Sequence, residues 1–280
     1  MSSQILKPKN FNLDKVSYSD IKQNKYGGKF LFVNYDSKPL QVQTSKMRIP
    51  FGLGRFENES TGNVSYSLQL EFSKWDTDAR AREFHAMMTS MDEKIVDDAV
   101  KNAGPWLKQK KASREVCKAL YKRKVCAYVD KDTGEPSDRY PPMMRVKVPF
   151  WDGKFNCEVY NDAKELVDPE TALVKHATVQ AILRCERLWF ASGNFGVGWR
   201  VVQLRVSPPD RLSSFAFVSD SEASDSDDSD SDDDDAGSSG GVAVEAVVSD
   251  DDTDSDEEES EDDEPPVVVK KKRGRKKKSS

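Results

Sequence analysis

The stretch VSYSLQLEF, Val64–Phe72, decides the fold class. Val64, Tyr66, Leu68, Leu70 and Phe72 alternate strictly with Ser65, Ser67, Gln69 and Glu71. An apolar period of two marks a strand with one face buried, because successive side chains point to opposite sides of the pleat. Working outward, KFLFVNY (Lys29–Tyr35) and LQVQ (Leu40–Gln43) are two more strands, joined by the turn-forming DSKP. Further on, MMRVKVPF (Met143–Phe150) and KFNCEVY (Lys154–Tyr160) flank WDG, a hairpin signal. There Met144, Val146 and Val148 face inward, and Arg145 and Lys147 outward. ATVQAILRCERLWF (Ala177–Phe190) and GWRVVQLRV (Gly198–Val206) flank ASGNFGV as a long final hairpin. In its second strand, simple alternation puts Val202, Leu204 and Val206 on one face. Trp199, Val201, Gln203 and Arg205 then share the other.

Between the two sets of strands the period changes. Over Trp75–Gly104, residues Phe84, Met87, Met88, Met91, Ile95 and Ala99 form one helical stripe, with Asp76 as N-cap and Gly104 as stop. SREVCKALYKR, Ser113–Arg123, is a second, shorter helix. Strands, a helical insertion, then strands again give a mainly β, α+β chain. The expected architecture is an OB-like antiparallel Greek-key barrel spanning residues 25–212. Residues 1–24 lack periodicity and are expected to be an N-terminal arm.

Charge is segregated along the 280 residues. Ser219–Glu264 holds 23 Asp and Glu and no Lys or Arg, while Lys270–Ser280 holds eight Lys and Arg and no acid. The remaining 1–218 carries 35 basic and 26 acidic residues, so the net charge of -6 conceals a cationic body. Residues 213–269 have too little to bury and too much like charge to fold alone, and are expected to be a disordered acidic tail. KKKRGRKKK in residues 270–280 reads as a nuclear-localisation cluster. It also approximates a minor-groove RGR hook, except that Lys276 stands where that hook has proline.

Enzyme signatures are missing from the sequence. FGLGRF lacks the Lys-Ser/Thr of a phosphate loop, and there is no HExxH, GxSxG or His-x-Glu deaminase pattern. His85 and His176 are the two histidines, and the four cysteines have no CxxC spacing, so neither a cofactor nor a metal is expected. The acids Asp92, Glu93, Asp97 and Asp98 read as a solvated helix face. No apolar run nears the ~20 residues needed to span a bilayer. With no apolar leader in MSSQILKPKN, an intracellular protein without membrane contact is expected.

Cations and aromatics recur side by side: Lys29–Phe30, Arg55–Phe56, Lys74–Trp75, Lys154–Phe155 and Trp199–Arg200. Single-stranded nucleic acid is recognised by this combination, since cations meet phosphates and flat rings meet unpaired bases. The competing reading is that half of these rings are core, because neighbours in a strand point oppositely. Trp151 in its turn and the basic loop Lys108–Arg114 belong to the same question. The residues selected as nucleic-acid-binding are Arg48, Lys74, Trp75, Lys154, Trp199, Arg200 and Arg205. The acidic tail is then a polyanion held near a cationic groove, where it competes with a strand. Ser224, Ser229 and Ser231 lie in acidic runs suited to phosphorylation, which would add to its charge.

KFLFVNYDSKPLQVQTSKMRIPFGLG (Lys29–Gly54), the helix after EFSKW, and RLWFASGNFGVGWRVVQLRV (Arg187–Val206) together carry a family resemblance. The chain resembles the single-stranded DNA-binding proteins of large DNA viruses of eukaryotes. These are similar to the phage replication type with one OB barrel and an acidic C-terminal tail. The resemblance implies strand protection in replication, repair and recombination, at the host nucleus or a viral replication site. It implies contacts of the tail with polymerase or helicase, and leaves room for a homo-oligomer. Phage-type tails end in an aromatic residue, whereas this sequence has KKKSS there and places Phe215 and Phe217 before the acid run. Two rivals stand beside this reading: an acidic-tailed chaperone or scaffold for basic proteins such as histones, and a factor reading duplex DNA.

Overall fold

The computed structural model describes residues 5–24, 27–59, 61–130, 133–137 and 139–209. The expected acidic tail and basic terminus lie outside these residues, as does the boundary at 212. Strands dominate, joined by one long helix and a few short ones.

The principal strands are β1 (Lys29–Tyr35), β2 (Gln41–Ile49), β3 (Gly54–Glu57) and β4 (Val64–Glu71). Helices α1 (Ala79–Lys101), α2 (Ala103–Leu107) and α3 (Arg114–Leu120) follow. Then come β5 (Met143–Val148), the short β6 (Phe150–Trp151) and β7 (Lys154–Phe155), β8 (Glu158–Tyr160), β9 (Ala177–Ala191) and β10 (Asn194–Ser207). Pairing runs β2–β4–β5–β10–β9 and returns from β9 to β2, so five strands form a closed circuit. Two joints of the circuit rest on single register positions, Arg48 opposite Glu71 and Lys147 opposite Arg200.

The apolar face of Val64–Phe72 holds, with Tyr66, Leu68, Leu70 and Phe72 buried, but Val64 at the strand's start is half-buried and Glu71, expected to face outward, is buried too. Met144, Val146 and Val148 are likewise buried while Arg145 is exposed. The helical stripe packs inward as expected, with Phe72 stacked on Phe84 at 5.6 Å between ring centroids. The α1 cap is Asp78 rather than Asp76; its side chain accepts from the Arg80 N–H at 2.8 Å. Gly104 does not stop a helix but lies in α2, which follows α1 after Asn102.

Three further expectations need correction. The stretch read as an arm is stitched into the sheet: Ile5–Leu6 pairs with Gln41–Val42, and Val16–Tyr18 with Val33–Tyr35. β5 does not pair with the segment after WDG. It lies antiparallel to β4, and the Asp152–Gly153 turn closes only the two-residue strands β6 and β7. Both turn residues have positive φ (54° and 72°), as a two-residue turn of this hand requires. β8 goes instead to β10, parallel to it along the same edge that meets β5 at Arg200.

The third correction concerns β10. Ile182 pairs with Gln203 but Leu183 pairs with Val201, so Val202 is an extra residue, a β-bulge. A bulge reverses the parity of every residue beyond it. Trp199 therefore turns inward with Val201, Leu204 and Val206, and is 1% exposed. Two more bulges bend the circuit. One is at Glu186–Arg187 in β9. The other is at Thr44–Ser45 in β2, where the Thr44 hydroxyl accepts from the Ala181 N–H at 3.0 Å. No helix among the described residues is long and apolar enough to cross a membrane.

Candidate nucleic-acid interface

The outward faces of the circuit carry the polar half of each alternating strand, and their register brings cations together. Arg184 of β9 lies opposite Arg200 of β10, and Arg200 lies opposite Lys147 of β5. Gln41 continues the row beyond Arg184, and Ser67 and Gly54 continue it beyond Lys147. Arg145, two residues from Lys147 on the same face, donates from Nε to the Ser67 hydroxyl at 3.3 Å. Like charges directly opposite one another in a sheet are destabilising. The register nonetheless concentrates positive charge along one line of the sheet surface.

Within the row, Arg200 Nε lies 3.5 Å from Glu186 Oε1. That Nε is buried and has no hydrogen-bond partner. The Arg200 side chain is 23% exposed, so part of the guanidinium still reaches solvent.

Aromatic side chains frame one end of this strip. Phe56 of β3, opposite Ser65 of β4, is 50% exposed. Beside it Arg55 is held by Glu57 at 2.7 Å. The β6–β7 hairpin follows directly from Val148, which pairs with Tyr66. Phe150 and Phe155 anchor it, each 4.8 Å from the Tyr66 ring. Trp151 and Lys154 occupy its other pair, half-buried and exposed respectively.

The selected residues fall in five places. Arg200 is in the strip, and Lys154 is on the hairpin at its end. Arg48, Lys74 and Trp75 sit at the opposite end of β4. Arg48 lies opposite Glu71 and donates to His176 Nδ1 at 2.8 Å, and Trp75 stacks on His85 at 5.0 Å. Burial lowers the pKa of His85, which favours its neutral form. Arg205 is on another row, opposite Gln180 and Tyr160, with Asp162 at 3.4 Å from its Nε. Trp199 is in the core and offers no face to a ligand, which corrects the expectation that it binds.

Sequence reading selected neither Lys147, Arg145 nor Arg184. The outward alternation of β5 already marked the first two. Arg184 becomes visible only through the β9–β10 register. Among the described residues no group of three or more His, Cys, Asp or Glu is placed to hold a metal.

A family of unknown function (DUF5871) matches residues 81–219. No curated protein matches in sequence. Solved structures similar in backbone include two phage proteins. One is the single-stranded DNA-binding protein from bacteriophage Enc34 in complex with ssDNA, at 14% identity and TM-score 0.41, covering 69% of this chain and 97% of that one. The other is gp2.5, a single-stranded DNA-binding protein encoded by bacteriophage T7, at 9% identity and TM-score 0.37, covering 67% of this chain and 100% of that one. At that distance neither a site nor an activity is carried across, and viruses of eukaryotes are not among these matches.

Proposed function

We propose that the described body is an OB-like barrel that binds single-stranded DNA without catalysis, protecting strands in DNA replication. The observation that carries this reading is the registered row Arg184–Arg200–Lys147 with Arg145 beside it, bordered by Phe56 and the Trp151–Lys154 hairpin. A row of cations on a sheet surface gives an extended polyanion a line of positive charge to follow. A backbone of phosphates fits that extended geometry, and the flanking rings suit unpaired bases. In an OB barrel the face of the second and third strands and the loop between the first two bind oligonucleotides. Numbering the circuit from β2, those elements are β4, β5 and the Phe51–Asn63 connection. These are the elements that carry Lys147, Arg145 and Phe56.

The acidic run of residues 213–269 competes with DNA for this strip and, once displaced, is free for basic partner proteins of replication. The basic residues 270–280 serve nuclear targeting. These two roles rest on charge and sequence alone.

Lys147→Ala and Arg145→Ala test the strip. Each is expected to weaken oligo-dT binding and to make the slope of log affinity against log salt shallower by about 0.7, the share of one phosphate contact on a single strand. Unchanged affinity and slope in variants that melt like the parent would overturn the reading.

A further inference from the structure

The β4–β5 pair that carries Lys147 and Arg145 has a second end. Past Glu71 the chain runs through Phe72 into the Lys74–Trp75 turn, and before Met143 it comes from Arg139 and Tyr140. The Phe72 N–H donates to the Pro142 carbonyl at 2.9 Å and the Trp75 N–H to the Phe72 carbonyl at 3.1 Å, which ties the two segments together. Trp75 and Tyr140 are each 40% exposed.

Each ring is also supported from behind. Trp75 lies against His85, with rings 27° from parallel, and His85 meets Phe72 edge-on at 5.4 Å. Tyr140 meets Tyr128 edge-on at 4.8 Å, on an arm whose strands are Tyr128–Val129 and Pro136–Ser137. The Arg139 guanidinium sits 5.4 Å from the Tyr140 ring centre. A large ring held in place yet left wet on the rest of its surface is the arrangement that stacks bases. The exposed Lys74 and Arg48 supply positive charge at the same end.

We propose that Trp75 and the Arg139–Tyr140 pair form a second base-stacking platform for single-stranded nucleic acid, at the opposite end of β4 from Phe56. The inference rests on the single-strand reading above and extends it to the length of strand engaged. Ser65, opposite Phe56, and Glu71 are six residues apart on β4, roughly 20 Å at ~3.3 Å per residue. A strand must cover that distance to use both platforms. A short oligonucleotide can use one only.

The test uses the full-length protein and labelled oligo-dT of graded length, from about 4 to about 16 nucleotides, the range a single OB domain covers. Tyr140→Ala and Trp75→Ala are expected to weaken the longest oligonucleotide roughly five- to hundredfold, the loss of one stacked base, and to leave the shortest unchanged. Phe56→Ala is expected to weaken both. Trp75→Phe, which keeps a ring, should restore most of the long-strand affinity and separates stacking from misfolding. If Tyr140→Ala and Trp75→Ala bind long strands like the parent while Lys147→Ala does not, the second platform is wrong and the strip stands. Equal losses at every length would also overturn it, because the platforms would then belong to one short site. If Lys147→Ala is silent too, the single-strand reading itself fails.

Discussion

Trp199 shows how one residue can exchange roles without any change in its neighbours' chemistry. Its ring is among the largest fully buried side chains, and Cys185 lies opposite it in the register. Trp199→Ala is therefore expected to cost about 3–5 kcal/mol of stability through the lost transfer energy and the cavity left behind. Urea unfolding will measure that, and oligo-dT affinity of the folded fraction should stay at the parental value. The inward-facing residues of β4 and β5 were legible because those strands pair without interruption. Lys147 and Arg145 were equally legible as outward, yet a linear reading has no way to see that Arg200 and Arg184 stand beside them. Adjacency in sequence favoured Trp199–Arg200 as a pair, although the pleat sends those two side chains to opposite sides of the sheet.

At the scale of elements, regular alternation and the helical stripe survived, and irregularities carried what the sequence hid. Val202, Glu186–Arg187 and Thr44–Ser45 each insert a residue that a period-two reading cannot anticipate, because nothing in their side chains announces the bulge. The placement of β8 beside β10 was hidden for another reason: it depends on long-range pairing, not on the local WDG turn. The joint between α1 and the segment after α3 carries a pH-dependent contact. Asp92 of α1 accepts from the Tyr121 hydroxyl at 2.6 Å, and burial pushes its carboxyl up to about 6. The native state then holds a proton between about pH 4 and pH 6 that the unfolded chain has released, so stability falls as pH rises through that window. Relative to Asp92→Asn, the parent should lose on the order of 2 kcal/mol between pH 4 and pH 7. Parallel unfolding curves of the two proteins at both pH values would show the difference or its absence. The exposed ion pairs nearby, Arg114 with Glu93 and Asp97 and Arg123 with Glu93, should add little to it.

Across the whole molecule the informative quantity is where charge resides. Averaged over 280 residues the protein is acidic, with a sequence pI of about 5.2, which argues against a nucleic-acid partner. Divided at Val218, a body with nine more cations than anions is joined to 23 carboxylates in a single run and eight cations after it. A tethered polyanion competes at an effective concentration set by its linkage rather than by dilution, so removing it should matter most for weak or short ligands. Residues 1–212 are therefore expected to bind oligo-dT more tightly than the full chain at low salt. The two affinities should converge as salt rises, because exposed charges are screened over about 10 Å at 0.1 M and about 3 Å at 1 M. Fluorescence anisotropy of both proteins over a salt series reads this directly. Equal affinities at low salt would show that the acidic run does not reach the strip. Lower affinity after truncation would show that residues 213–280 contribute contacts of their own, through the cations of Lys270–Lys278, which neutralise phosphates as those of the body do.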